Sequence, residues 1–334
     1  MKIELSANTN HEIAFDKGVT DVIKLMSIAM IAIHHFLQYA LTRGNGGAFS
    51  SLYCSQAGYL GVALFFFLSG YGVMKSHQRH QMSFGEFVNK RLLKIILPML
   101  LANLLWAVFL FAFVDKLDVM ELSHRMDIGN MSWGGGIISS ILIINSNGGS
   151  YFDGTLWFIK VLLLLYIVFY ISSLLKKKEV RLCVLAMLIL GVVLIVSCCM
   201  NTWMAISVPL FFIGVVMADC PSYISKHFLV FSMSYLAVCV VCVLLIADAL
   251  IIHGAINYVV VLVMIAIAYF VNIRLVGTAT ISGVLSFEIY LTHNKARLLS
   301  FALWEHPSIW LYFLILTVFT ILFHFIKKIV IPKY

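Results

Sequence analysis

Asp21-Val-Ile-Lys24-Leu-Met-Ser-Ile-Ala-Met-Ile-Ala-Ile-His34-His35 decides what kind of protein this chain forms. It is an apolar run of membrane length that carries an acid, a base and a pair of histidines. Ionisable groups at hydrocarbon depth are costly and mark function by default. Lys24 and His35 stand eleven residues apart, which on a helix leaves them roughly 20° apart on one face and about 16 Å apart in rise. Asp21 lies roughly 40° to the side of that line, and His34 turns about 80° off it onto another face, with no share in the environment of His35. Asp21, Lys24 and His35 therefore form a polar stripe from one membrane surface toward the midplane. A plainer reading stands beside this one: a helix end with an interfacial lysine and two satisfied core histidines.

Composition supports the membrane setting. The chain has 334 residues, 62% hydrophobic and 11% charged, with a mean hydropathy of +1.00. A soluble domain carries about a quarter charged residues, so this is a polytopic membrane protein. The expectation is an all-α transmembrane helix bundle, residues 1–334 forming one integral membrane domain without a soluble appendage. Residues 1–18 are short and polar and lack the three-part pattern of a signal peptide, so the first helix is retained. The net charge of +8 comes without basic-aromatic interleaving, which argues for positive-inside bias and against nucleic acid. The seven cysteines lie mostly inside apolar runs and show no metal-ligand spacing. They read as small buried residues, and no metal is expected.

Ten apolar segments have spanning character: Val19–Leu41, Tyr59–Met74, Ile95–Val114, Leu156–Leu175, Leu182–Cys199, Trp203–Met217, Phe228–Leu250, Ile256–Val271, Ala279–His293 and Ile309–Ile326. With the N-terminus in the cytoplasm, the clusters around Lys75/Arg79, Lys90/Arg91/Lys94, Lys176–Lys178/Arg181 and Lys327/Lys328 all fall inside. Only Arg43, Lys116, Arg125, Lys295 and Arg297 fall outside. That asymmetry favours about ten spans with both termini cytoplasmic. Asp115 to Thr155 is then an outer stretch whose apolar run Ile137–Asn145 is too short to cross, either a re-entrant segment or a loop with an amphipathic patch. Gly44 to Gly61, rich in Gly and Ser, reads as a smaller outer loop. No internal repeat is visible, which counts against inverted-repeat transporters.

Other polar groups need a reason. Phe65-Phe-Phe-Leu-Ser69-Gly70-Tyr71-Gly72 sets small residues in an aromatic span, and close helix packing explains them better than a nucleophilic Ser69, which has no base at a local spacing. Lys90-Arg91-Leu-Leu-Lys94-Ile-Ile-Leu-Pro98 places three cations within one helical turn, a phosphate grip or an ordinary cytoplasmic anchor. Asp153-Gly-Thr-Leu-Trp157-Phe158-Ile-Lys160 opens a span from outside, with Trp157 as interfacial anchor and Lys160 snorkelling or pairing with an acid such as Asp153. In Ser286-Phe-Glu288-Ile-Tyr290-Leu-Thr-His293, Glu288 needs a partner, and Lys24 or His35 are the candidates. His293, five residues from Glu288 and so about 140° around the helix, reads as a wall residue near the outer surface. Asp248 and His253 read as loop-facing and solvated.

Together these stretches resemble the acyltransferase-3 family of integral membrane O-acyltransferases. The basic residue, ten residues and histidine of the first helix match Lys24 to His35. Phe66-Phe67-Leu68-Ser69-Gly70-Tyr71, Lys90-Arg91-x-x-Lys94-x-x-x-Pro98, Leu156-Trp157-Phe158 and Ser286-x-Glu288-x-Tyr290-Leu291-x-His293 are similar to later family motifs in the same order. Lys24 and Lys94 stand where the family more often has Arg, and a lysine cannot form the bidentate fork. The resemblance implies acetyl-coenzyme A as cytoplasmic donor and a hydroxyl of a cell-surface carbohydrate or lipid-linked glycan as acceptor, in a bacterial cytoplasmic membrane. It implies His35 as general base or transient acyl carrier, with Glu288 fixing its tautomer or balancing Lys24. Lys24, Lys90, Arg91 and Lys94 would hold the donor phosphates. Asp21, Ser69, Tyr71, Trp157, Tyr290 and His293 would line the substrate. A competing class is a transporter or flippase using Lys24, His35 and Glu288 as a path; it predicts transport without an acyl donor.

Overall fold

In the computed structural model, the described residues are 2–7, 15–44, 47–113, 153–200, 202–227, 230, 232–234, 249–276 and 279–331. They are overwhelmingly helical. In chain order the elements are β1 (Lys2–Ala7), α1 (Lys17–Thr42), α2 (Ala48–Arg79), α3 (Phe84–Phe87), a π-helical stretch (Val88–Leu93), α4 (Lys94–Phe113), a 3₁₀ turn (Gly154–Leu156), α5 (Trp157–Ser173) and α6 (Lys178–Cys199). There follow α7 (Thr202–Ala205), α8 (Pro209–Asp219), α9 (Pro221–Lys226), α10 (Ala249–Phe270), β2 (Val271–Val276), α11 (Ala279–Leu303) and α12 (Ile309–Val330). Among the described residues six helical stretches are long and apolar enough to cross a membrane: Lys17–Thr42, Ala48–Arg79, Phe84–Phe109, Gly154–Ser173, Lys178–Cys199 and Ile309–Val330. Pro209–Asp219 and Gly254–Phe270 are apolar but shorter.

Several expectations change against these elements. The Gly- and Ser-rich stretch expected as a loop from Gly44 is helical from Ala48 onward. Gly61 in that stretch serves packing: a Cβ there would press on the Ser27 carbonyl and the Ile31 side chain of α1. A turn closes the end of α1. There Gly44 adopts φ 75°, the left-handed conformation open to glycine, and its N–H bonds the Leu41 carbonyl at 3.0 Å. The segment expected to end at His293 runs on as one helix to Leu303, so Lys295 and Arg297 are helical residues. The segment Trp203–Met217 is divided between α7 and α8, with Pro209 opening the latter; proline fits a first helical turn, where its missing N–H costs nothing. Among the described residues, the extended structure pairs β1 with β2 antiparallel, Lys2 opposite Val276 and Ala7 opposite Val271. The expected re-entrant stretch 137–145, most of the expected span 228–250, and Asp248 lie outside the described residues.

The chain forms two compact units. One comprises Met1–Ile31, Ser55–Met82 and Leu165–Ser286; the other comprises Ala32–Cys54, Ser83–Leu164 and Phe287–Tyr334. In the first, α2 and α8 approach closely enough that a Cβ on Gly70 would collide with the Phe211 carbonyl, and one on Gly214 with the Phe67 carbonyl. This is the small-residue contact by which apolar helices gain dispersion contact where lipid offers no hydrophobic drive. Gly72 faces open space. In the second unit the core is aromatic: Phe36 stacks on Tyr312 with ring centroids 4.9 Å apart, and Tyr39 meets Phe301 edge-on at 4.5 Å.

Candidate active site

Helix α1 carries all four ionisable groups of the opening stretch. Asp21 and Lys24 belong to the first unit. Asp21 is buried and ion-paired with two lysines, Lys24 at 3.6 Å and Lys17 at 4.0 Å. The lysines sit three residues after and four before it, the spacings that face each other on a helix. Tyr71, in the same unit, is buried, and its hydroxyl accepts the N–H of Phe15 at 3.0 Å while the two rings meet edge-on. The Tyr71 hydroxyl therefore anchors the strand of chain that leads into α1. Ser69 is half-buried beside it.

His34 and His35 belong to the second unit, and the expectation that they do not share an environment is overturned. Their rings touch edge-on at 5.1 Å. Consecutive side chains leave the axis on different faces, but two imidazoles are broad enough to turn back toward one another. His35 also stacks on His293 of α11, with centroids 5.4 Å apart and planes 30° from parallel, and takes part in a hydrogen bond with the side chain of Gln38.

His293 is fully buried, and its Nδ1 lies 2.6 Å from the Tyr290 carbonyl. A carbonyl only accepts, so Nδ1 carries the proton. In the neutral ring Nε2 then holds the free lone pair, and it is buried with no hydrogen-bond partner among the described residues. Buried nitrogens left in this state are uncommon and call for an explanation. One turn beyond His35, Tyr39 lies under two guanidiniums, Arg297 at 4.9 Å and Arg43 at 5.3 Å from its ring centre. The Tyr312 hydroxyl is shared between the carbonyls of Ala32 and His293, at 3.3 and 3.4 Å.

Two further expectations are corrected here. Glu288 is held by His324 at 2.8 Å and by Lys327, both on α12, in place of the expected Lys24 or His35. Its carboxylate is completely buried, so a cation within reach is an energetic requirement, and α12 supplies it in Lys327, with the His324 imidazole one helical turn before it. Asp153 pairs with Lys295, at 2.8 Å, where pairing with Lys160 was one of the two readings for that lysine. Asp153 is also the N-cap before α5. Its Oδ1 accepts the Thr155 N–H at 3.0 Å, the Thr155 hydroxyl at 2.6 Å and the Asn294 amide at 2.7 Å. The Tyr290 hydroxyl donates to the Thr155 carbonyl. Burial alone would raise the Asp153 carboxyl, but the Lys295 ammonium and the Thr155 hydrogen bond override it and hold the group below the usual carboxylate range.

Helix α11 therefore has two working faces. Tyr290, His293 and Arg297 recur at helical spacing on one, Glu288, Thr292 and Lys295 on the other. Lys295 and Arg297 were expected among the outer cations and Lys327 among the cytoplasmic ones. The available signal was the continuation of the 3–4 spacing past His293. On the second face an apolar cavity of about 210 Å³ lies between α4, α11 and α12, lined by Trp106, Phe109, Thr292, Lys295 and Phe319 among others.

The basic motif takes an unexpected form. Ser83 and Glu86 cap α3 reciprocally, and the chain then widens into the π-helical stretch that holds Lys90 and Arg91. Pro98 lies inside α4 and has no N–H for the Lys94 carbonyl, and a proline ring crowds the carbonyl four residues before it. The π-helical stretch lies immediately upstream, where a wider turn can accommodate that conflict. Lys90 and Lys94 are exposed, Arg91 half-buried, and Lys90 contacts Glu86 at 3.2 Å. Trp157 is half-buried at the start of α5, beside Phe158, whose ring meets Tyr290 at 5.6 Å.

The apolar helices and the buried ionisable groups that pair along them define an integral membrane protein. Residues 20–327 match the family model for the acyltransferase domain of the acyltransferase-3 family. The chain belongs to that family and is a membrane acyltransferase. Comparison with curated proteins and with solved structures returned no match.

Proposed function

We propose that this protein moves an acetyl or short acyl group from cytoplasmic acyl-coenzyme A to a hydroxyl of a cell-surface carbohydrate or its lipid-linked precursor. His35 acts at the reacting centre as general base or transient acyl carrier. The observation that carries this reading is the His35–His293 stack within a buried polar network, in a chain of an acyltransferase family. A sugar hydroxyl is a weak nucleophile at neutral pH, and a neutral imidazole is a suitable base or acyl carrier for it. The exposed Lys90 and Lys94 and the half-buried Arg91 suit the phosphates of the donor, as does Lys24. Glu288, with Lys327 and His324 beside it on α12, supports the site from α11, and Trp157, Tyr290 and His293 line the acceptor path. The chain acts as one membrane domain of about ten spans with both ends cytoplasmic, in the bacterial cytoplasmic membrane; reporter fusions at each terminus test that topology.

The deciding experiment follows coenzyme A release and acetyl transfer from labelled acetyl-coenzyme A by purified protein in lipid, for wild type, His35→Ala and His34→Ala. Turnover falls by at least about 100-fold, the typical worth of a positioned base, in His35→Ala and persists in His34→Ala. A wild type that neither binds nor cleaves the thioester overturns the reading. Loss confined to His34→Ala moves the reacting centre to the neighbouring ring.

A further inference from the structure

Two imidazoles stacked at 5.4 Å do more than one reaction step requires, and only one of them has its tautomer dictated by the backbone. We infer that His293 is a second catalytic histidine: its Nε2 takes the proton of the acceptor hydroxyl, while His35 beside it carries the acyl group.

The Tyr290 carbonyl fixes the tautomer of His293. Its 2.6 Å contact with Nδ1 of His293 leaves Nε2 as the basic atom of the neutral ring. Nε2 is buried and has no hydrogen-bond partner among the described residues. A merely structural histidine satisfies both nitrogens, since a buried acceptor left unpaired costs stability. The ring is also held in place on several sides. Its own carbonyl accepts from Tyr312, its face lies on His35, and Tyr290 packs against it at 5.6 Å. A lone pair that is buried, oriented and unused is what a general base requires. The charged groups near it are Asp153 and Lys295, which neutralise one another, and Arg297.

The inference rests on the proposed acyl transfer and divides it into two steps. In the first, a ring nitrogen of His35 attacks the thioester carbonyl carbon, the C–S bond breaks, and coenzyme A leaves as thiolate and takes a proton from water. In the second, the acceptor oxygen bonds to the acyl carbon as the N–C bond to His35 breaks. The hydroxyl proton passes to Nε2 of His293, which later returns it to water. The sum is ester plus thiol from alcohol plus thioester.

The test compares wild type, His293→Asn, His293→Ala and His35→Ala in lipid with labelled acetyl-coenzyme A. Octyl glucoside serves as carbohydrate hydroxyl, with water as the default acceptor. Asparagine retains an N–H at the Nδ1 position and so the bond to Tyr290, but has nothing in place of Nε2. The expected result is that His293→Asn melts like wild type and still cleaves the thioester once, leaving labelled acetyl on His35. Transfer and hydrolysis both fall by about 100-fold or more, and added imidazole restores part of the rate in His293→Ala. Transfer by His293→Asn within about tenfold of wild type, or a lowered melting temperature in both His293 variants, overturns the inference and leaves the proposed function standing. So does loss of acetyl-enzyme formation in a normally folded His293→Asn. A wild type that releases no coenzyme A overturns the proposed function, and this inference falls with it.

Discussion

At the scale of single residues, Asp153 gathers Thr155, Asn294 and Lys295 around one carboxylate. One buried carboxylate caps the turn before α5 and fastens Asn294 and Lys295 of α11 to it. Removing one partner of such a pair strands the other charge in a dry site. Asp153→Ala should therefore cost about 3–5 kcal/mol, visible as a lower melting temperature in detergent, and Asp153→Ala with Lys295→Met should recover much of it. The pH dependence has a definite sign. A folded-state carboxyl held below its ordinary value contributes stability fully above the unfolded value, about 3.9, and loses it as pH falls through the lower folded value. Acid melting of wild type should contain this component and Asp153→Asn should lack it; identical acid profiles would contradict the role. The sequence offered Asp153 as an acid for a nearby lysine and set Lys295 outside the membrane, but did not join the two, because their separation of 142 positions is closed only by packing.

At the scale of elements, glycine is the informative residue. Gly70→Ala drives a Cβ into the Phe211 carbonyl, a backbone atom that cannot rotate away. A cost of about 1–3 kcal/mol is expected from such overpacking. Gly72→Ala meets open space and should stabilise by roughly 0.5–1 kcal/mol through reduced chain entropy. Thermal melting of the two variants separates the cases, and equal behaviour would remove the close contact of α2 with α8 from the account. The sequence offered both glycines as packing candidates. Which one is used depends on where α8 lies. The π-helical stretch is likewise readable in hindsight: Pro98 was visible, but the direction in which the helix relieves its clash was not. Restoring the missing N–H with Pro98→Ala should return the stretch to α-helix and shift Lys90 and Arg91 around it. An increase in KM for acetyl-coenzyme A with kcat little changed is the expected readout.

At the scale of the whole molecule, the apolar surface of α6 marks the lipid boundary. Leu185, Ile189, Val192 and Val196 are buried, while Met187, Leu190 and Leu194 are about 60% exposed. A membrane-soluble photoactivatable probe should label the exposed set and spare the buried one, and the reverse pattern would refute this assignment of faces.

Hydropathy alone determined that the chain is a membrane protein and where most of its helices run, because burying backbone polar groups in lipid leaves little choice but a helix. Ordered motifs alone determined the family. Periodicity correctly placed Asp21 beside Lys24, because three residues is a local distance on a helix. Tertiary structure decided everything that crosses between helices: Glu288 with His324 and Lys327, Asp153 with Lys295, and His35 with His293. A buried charge states in the sequence that it must have a partner; only the packing of distant segments selects which one, since that choice depends on contacts no local spacing encodes.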